Sequence, residues 1–146
     1  MIFRIKTHSF DEEWTEVDSD KLPKEYVALD CSYIQLFELP PLPQSLRELN
    51  CSENRLTKIP PLPHILQVLE CSYNELTKLP PLPQSLQVLD CSRNQLTELP
   101  QLPQGLQELT CLSNQLTELP PLPQSLQKID CYNNPLTKLP PLPQRS

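Results

Sequence analysis

Residues 86–103 read LQVLDCSRNQLTELPQLP, and this stretch decides the fold because close copies of it fill most of the chain. Leu89, Cys91 and Asn94 hold the same offsets in almost every copy. The cysteines mark the period of 20 residues: Cys31, Cys51, Cys71, Cys91, Cys111 and Cys131. A short fixed period is typical of a solenoid, in which each unit packs only on its neighbours. The sequence therefore predicts six stacked repeats of 20 residues.

Each repeat is predicted to contain one short strand and an extended return path. Apolar and polar side chains alternate over residues 88–92, which is typical of a half-buried strand with Leu89 and Cys91 in the core and with Val88, Asp90 and Ser92 facing solvent. Stacking sets such strands about 4.8 Å apart as a parallel sheet on the concave side. The return path is rich in proline, as in LPPLP, which excludes an α-helix and favours polyproline II on the convex side. The fold class is thus a mainly β repeat solenoid.

One asparagine follows each of the last five strands. Its side-chain amide carries donors and an acceptor that can satisfy buried backbone groups of its own turn and of the adjacent turn. We expect these amides to form a ladder along the solenoid. Its members are Asn54, Asn74, Asn94, Asn114 and Asn134.

The chain is predicted to divide into an N-terminal cap, residues 1–25, and the repeats, residues 26–146, with no separate C-terminal cap. Residues 1–7 alternate like a strand. Ser9 and Glu12 fit a helix capping box. The cap is therefore predicted to be a strand followed by a short helix. The apolar face of that helix would contain Phe10, Trp14 and Val17.

The repeats resemble the bacterial-type leucine-rich repeats of 20 residues found in secreted effectors of the IpaH and YopM kind, and similar repeats in amoeba-associated bacteria and large DNA viruses. The Leu-Pro-x-Leu-Pro return and the Asn-x-Leu-Thr turn carry the resemblance, which extends over residues 26–146. It implies a right-handed coil that recognises a protein. Many IpaH-type proteins also contain a ubiquitin-ligase domain with a catalytic Cys-x-Asp motif, which none of the six cysteines here matches. The resemblance therefore implies the recognition part alone.

Charge and hydropathy narrow the classes of partner. The net charge of −6 opposes binding to phosphate backbones, so we expect no nucleic-acid partner. No run of about 18 apolar residues and no signal-peptide core is present, so we expect no membrane partner. These features predict a cytoplasmic protein, and the resemblance leaves the cytosol of a host cell open.

Catalysis and metal binding are not expected. A row of cysteines between leucines cannot converge tetrahedrally on a metal ion, and neighbouring strands are too far apart for disulfides. Free thiols that fill the core are the better interpretation. The two histidines, His8 and His64, lie outside the strands and cannot pair with a core cysteine. The sequence therefore predicts neither an enzyme nor a cofactor.

The concave side is the predicted binding surface. The third residue of each strand forms one column, namely Asp30, Asn50, Glu70, Asp90, Thr110 and Asp130. Two residues after each cysteine stands a more varied column, namely Tyr33, Glu53, Tyr73, Arg93, Ser113 and Asn133. Variation confined to exposed positions indicates a tailored contact surface, and the acidic side chains favour a basic protein partner. The predicted contact residues are Tyr33, Glu53, Glu70, Tyr73, Asp90, Arg93, Asp130 and Tyr132.

Two other functions stay open on the sequence. The chain could be the substrate-recognition remnant of a leucine-rich-repeat ubiquitin ligase, which needs a separate catalytic partner. It could also be a structural protein that self-assembles. In that case the edge of the last strand, at Lys128, Ile129 and Cys131, is the predicted homodimer contact, because unpaired strand edges tend to pair with another chain.

Overall fold

The computed structural model describes residues 1–10 and 13–143, and in this part of the chain eight strands form a single sheet. One 3-10 turn, Ser19–Lys21, accompanies them, and no α-helix occurs among the described residues. The strands are β1 (Ile2–Lys6), β2 (Thr15–Asp18), β3 (Ala28–Asp30), β4 (Glu48–Asn50), β5 (Val68–Glu70), β6 (Val88–Asp90), β7 (Glu108–Thr110) and β8 (Lys128–Asp130).

The six repeat strands, β3 to β8, run parallel and in chain order. Each residue pairs with the residue 20 positions further on, so that Leu49 lies between Leu29 and Leu69. Because the sequence period equals the structural period, the same side chain always stacks on its own counterpart. The predicted mainly β solenoid with a parallel sheet is confirmed.

The N-terminal cap is a β-hairpin, and the predicted helix within it is wrong. β1 is confirmed as a strand and lies between β2 and β3, antiparallel to both. Val17, which was assigned to the helix, pairs with Phe3 in the hairpin instead. The segment Thr15–Asp18 contains the β-branched residues Thr15 and Val17, and the open edge of β1 supplies its backbone partners. Glu12, half of the predicted capping box, lies outside the described residues.

Leucine and cysteine columns form the core. Leu89 and Cys91 are fully buried, as are their counterparts in the neighbouring repeats. None of the six cysteines, all of which are described, forms a disulfide. Burial raises the pKa of Cys31 and Cys111 to about 12. The pKa values of Cys51, Cys71 and Cys91 are also raised well above the ordinary value, again mainly by burial.

The return paths are extended and end in a tight turn. In the fourth repeat Leu99 and Leu102 point into the core while the intervening Gln101 is exposed. The amide of Leu106 then donates to the carbonyl of Pro103 at 3.1 Å, and the other complete repeats close in the same way. Each repeat thus returns to the sheet without the length that a helix requires.

The asparagine ladder is confirmed. The Asn74 Nδ2 donates to the carbonyl oxygens of Cys51, at 3.0 Å, and Cys71, at 3.2 Å. The Asn74 Oδ1 accepts from the amide of Leu56 at 2.9 Å. One amide therefore satisfies backbone groups of two successive repeats. In residues 1–10 and 13–143 no helix is long and apolar enough to cross a bilayer.

The burial of the thiols predicts their reactivity. A thiolate is the reactive species, and a raised pKa leaves almost none of it at pH 8. We expect Cys31, Cys51, Cys71, Cys91 and Cys111 to react slowly with a disulfide reagent in the native protein, and Cys131, which is only half-buried, to react first. Counting fast thiols before and after denaturation checks this. Several fast thiols in the native protein would contradict the buried column.

Candidate functional site

The turn that follows each repeat strand has a left-handed backbone. The residue two positions after each core cysteine has a φ between 55° and 62° in every repeat, and from the second repeat on it stands immediately before the ladder asparagine. Of the side chains at this position only asparagine is well suited to that conformation, which costs most other residues energy. The six positions, here called the turn row, are Tyr33, Glu53, Tyr73, Arg93, Ser113 and Asn133. Backbone preference therefore explains the residue type at Asn133 and at none of the other five.

Side chains of the turn row interact in pairs across neighbouring repeats. The Glu53 carboxyl group of the next repeat interacts with the Tyr33 hydroxyl and raises the pKa of Tyr33. The Arg93 guanidinium carbon lies 5.2 Å from the centre of the Tyr73 ring. The amide of Asn133 donates to the Ser113 hydroxyl at 3.0 Å. The variable positions thus form three two-repeat units along the rim of the concave face.

The third residues of β3 to β8, here called the strand-end column, lie beside the turn row. Glu70, Asp90 and Asp130 are half-buried. Burial raises the pKa of Glu70, and the nearby carboxylates of Asp90, Asp30 and Glu48 raise it further. The middle of the concave face is therefore a site of crowded negative charge, which a cation would relieve.

Asp30 is not available on this surface, contrary to its assignment to the solvent-facing column. Its side chain is buried and forms an ion pair with Arg4. Burial alone would raise the pKa of Asp30, but hydrogen bonds from Ser32 and Arg4 outweigh it and lower that pKa. The cause is β1, which pairs Arg4 with Asp30 in register.

The residue after each core cysteine forms a further row on the concave side. Ser32 donates to Asp30 at 2.6 Å, and Ser72 donates to Ser52 at 3.2 Å. Ser92 was expected to face solvent, yet it is buried and its hydroxyl has no partner. In the next repeat Leu112 replaces the serine that could have paired with it.

The predicted contact residues fall into an exposed and a half-buried set. Tyr33, Tyr73 and Tyr132 are 73%, 49% and 80% exposed, and Arg93 is exposed as well. Glu53, Glu70, Asp90 and Asp130 are half-buried. The parallel register makes the turn row and the strand-end column, which contain all of these residues except Tyr132, adjacent rows. Their role in binding stays a prediction.

The cap adds residues to this surface that the sequence did not indicate. Arg4 and Lys6 both lie against the Trp14 ring, at 5.5 and 4.9 Å from its centre. A cavity of about 90 Å³ opens beside Trp14 and is also lined by Glu48 and Glu70. Trp14 was assigned to a helix, so its position at the N-terminal end of the concave face could not be foreseen.

The predicted dimer edge differs from the interior strands. Lys128 is exposed, and Ile129 and Cys131 are half-buried, whereas Leu109 and Cys111 are fully buried. β8 is the outermost repeat strand of the described sheet. Homodimerisation through it stays a prediction.

Within residues 1–10 and 13–143 there is no group of three or more histidine, cysteine, aspartate or glutamate side chains that could hold a metal ion.

The repeats match known family models. A model described as leucine-rich repeats in two copies matches residues 44–84, 66–104 and 84–124. A model of a single leucine-rich repeat matches residues 125–145. Together these matches extend over more than half of the chain. The chain therefore belongs to the leucine-rich-repeat family.

Solved structures of bacterial effectors are similar to this chain. A leucine-rich-repeat domain of a Shigella effector is similar with a TM-score of 0.77 and 38% identity, over 79% of this chain and 53% of that one. YopM from Yersinia enterocolitica is similar with a TM-score of 0.69 and 35% identity, over 85% of this chain and 32% of that one. YopM from Yersinia pestis, described as a leucine-rich effector protein, gives 0.62 and 38%, over 76% and 38% of the two chains.

The chain thus spans about half of the Shigella domain and about a third of YopM. No curated protein sequence matches it significantly. The predicted resemblance to effectors of the IpaH and YopM kind is confirmed at the level of the repeat domain.

The unpartnered hydroxyl of Ser92 predicts a stabilising substitution. A buried hydroxyl without a hydrogen bond costs about 1–3 kcal/mol, and Ser92→Ala removes that cost. We expect the variant to unfold at a higher temperature than the parent. Ser72→Ala is the matched control, because it breaks the bond to Ser52 and should not stabilise. A destabilised Ser92→Ala protein would show that the hydroxyl has a partner in solution.

The crowded carboxylates predict a dependence on pH. Because the pKa of Glu70 is raised in the folded state, its contribution to stability is greatest below its unfolded pKa of about 4.3 and is lost as pH rises through the folded pKa. Glu70→Gln should therefore raise the melting temperature at pH 7 and lose this advantage near pH 3. We expect a gain below about 1 kcal/mol, because solvent screens a half-buried group. Glu98→Gln, at an exposed position, should leave the melting temperature unchanged both at pH 7 and at pH 3.

Proposed function

We propose that this chain is a protein-interaction module that binds a partner protein on its concave face, through the turn row and the strand-end column. The turn row carries the proposal. Five of its six residues are types that the left-handed backbone does not favour, and Tyr33, Tyr73 and Arg93 are exposed. Strained positions persist where something other than stability maintains them, and tyrosine and arginine are the side chains most enriched among binding hot spots.

Charge supports a partner with a basic surface. Glu70, Asp90 and Asp130 lie in one column, and the pKa of Glu70 is already raised by burial and by its acidic neighbours. A cationic surface that covers this column relieves the repulsion and is drawn to it during encounter. The same charge disfavours a nucleic acid.

We further propose that the module acts without catalysis and in the cytoplasm. Leucine-rich repeats are typically interaction scaffolds, and the similar solved structures belong to Shigella and Yersinia effectors. Free buried thiols suit a reducing compartment. For an effector-like module the host cytosol is the compartment in which it meets its partner.

Capture from a cell lysate with a surface variant tests this function. Replacing Tyr33, Tyr73 and Arg93 together by alanine should abolish capture of the specific partner. The same substitutions should leave thermal unfolding nearly unchanged, because exposed residues contribute little to stability. Captured proteins are compared by mass spectrometry between the parent and the variant.

The matched control lies outside the concave face. Glu98→Ala with Glu118→Ala changes two exposed side chains beyond the turn and should leave capture intact. The ion pair of Glu118 with Lys138 is exposed and contributes little. Loss of capture in this control alone would place the working surface elsewhere and contradict the proposal.

A further inference from the structure

Guanidinium groups of this chain already lie on exposed aromatic rings near the turn row. Arg93 lies over Tyr73 at 5.2 Å, and Arg55 lies over Phe37 at 5.7 Å. Both rings are largely exposed, so neither pair is forced by core packing. The attraction between a cation and an aromatic face is the physical reason for these contacts. The exposed aromatic rings at this edge of the solenoid can therefore bind arginine side chains.

Tyr33 and Tyr73 occupy corresponding positions of their repeats, but the side chains that follow them in the turn row differ in charge. Both tyrosines occupy the turn row, with φ values of 62° and 56°. In the repeat after Tyr73 the row continues with a cation, Arg93, whereas after Tyr33 it continues with an anion, Glu53. In the described part of the chain no arginine or lysine lies over the Tyr33 ring, which is 73% exposed. The Tyr33–Glu53 pair thus offers an aromatic face and a carboxylate without a cation.

We propose that Tyr33 and Glu53 form a binding site for an arginine side chain of the partner protein. This inference rests on the proposed function. It specifies the side chain of the partner that binds at the N-terminal end of the concave face. The guanidinium stacks on the ring of Tyr33 while its N–H groups donate to the Glu53 carboxylate. Glu53 lies beside Tyr33 because the two turns are joined by the bond from the Tyr33 amide to the carbonyl of Ser52, at 3.2 Å.

Arginine fits this pair better than lysine does. The guanidinium is planar, stacks on aromatic rings and donates two parallel hydrogen bonds to a carboxylate. The lysine ammonium is more strongly hydrated and has no plane to stack. The acidic strand-end column attracts either cation, because long-range charge does not distinguish them. A preference for arginine over lysine therefore distinguishes binding at Tyr33 and Glu53 from non-specific attraction to the acidic surface.

Two synthetic peptides test the site. They have equal length and charge, one alternating arginine with glycine and the other lysine with glycine. Isothermal titration of the full chain should give an arginine preference of about fivefold. Tyr33→Leu should reduce the preference to near parity, and Glu53→Gln should weaken binding of the arginine peptide. Tyr33→Phe keeps the ring and should keep most of the preference.

Phe10→Leu is the matched control, because Phe10 is similarly exposed but lies in the cap, outside the turn row and the strand-end column. It should leave the preference unchanged, and circular dichroism checks that every variant is folded. Equal binding of the two peptides, or no binding of either, overturns the site. So does an arginine preference that survives Tyr33→Leu.

These outcomes are separable from those of the capture experiment. If the peptides show no arginine preference but the triple variant still loses its partner, the concave face binds a protein and the arginine site is wrong. If the preference depends on Tyr33 but the triple variant retains its partner, the arginine site is real and the proposed function is wrong.

Discussion

One asparagine amide per repeat holds the geometry on which the other features depend. Each amide of Asn54, Asn74, Asn94 and Asn114 binds carbonyl oxygens of two successive repeats and accepts an amide of the earlier one. This network fixes the corner where the chain leaves the sheet. The left-handed turn residue stands immediately before the asparagine, so the same network positions the turn row. The asparagine ladder thus positions both the buried leucine and cysteine columns and the turn row.

Most of the fold was predictable because its determinants are local and repeated. Alternation around Leu89 and Cys91 indicated the strand, the 20-residue period indicated the stacking, and proline indicated the extended return. The cap was not predictable in this way. The spacing of its apolar residues suits a helix, whereas the β-branched Thr15 and Val17 favour a strand. The free edge of β1 decided between them, and only tertiary structure provides that edge.

The candidate surface was predictable in position but not in detail. Register alone placed the variable residues in rows, since side chains 20 apart must be neighbours. The left-handed turns gave no such signal, because the one glycine of the chain, Gly105, lies elsewhere and Asn133 is the single favourable residue in the row. The burial of Asp30 depended on Arg4, which belongs to a strand whose partner the sequence did not identify. The pairing of side chains within the turn row likewise depends on side-chain conformations, which the repeat pattern of the sequence does not specify.

The pairing within the turn row has a consequence for how such a surface can evolve. Solenoids change length by gaining or losing whole repeats, and the core accepts this because all repeats share one register. A repeat inserted between the members of a pair, such as Tyr73 and Arg93, would separate two groups that interact. A repeat inserted between Arg93 and Ser113 would leave both neighbouring pairs whole. Evolution can therefore lengthen or shorten the solenoid in steps of 20 residues. The paired side chains of the turn row are kept together only in steps of two repeats, or 40 residues.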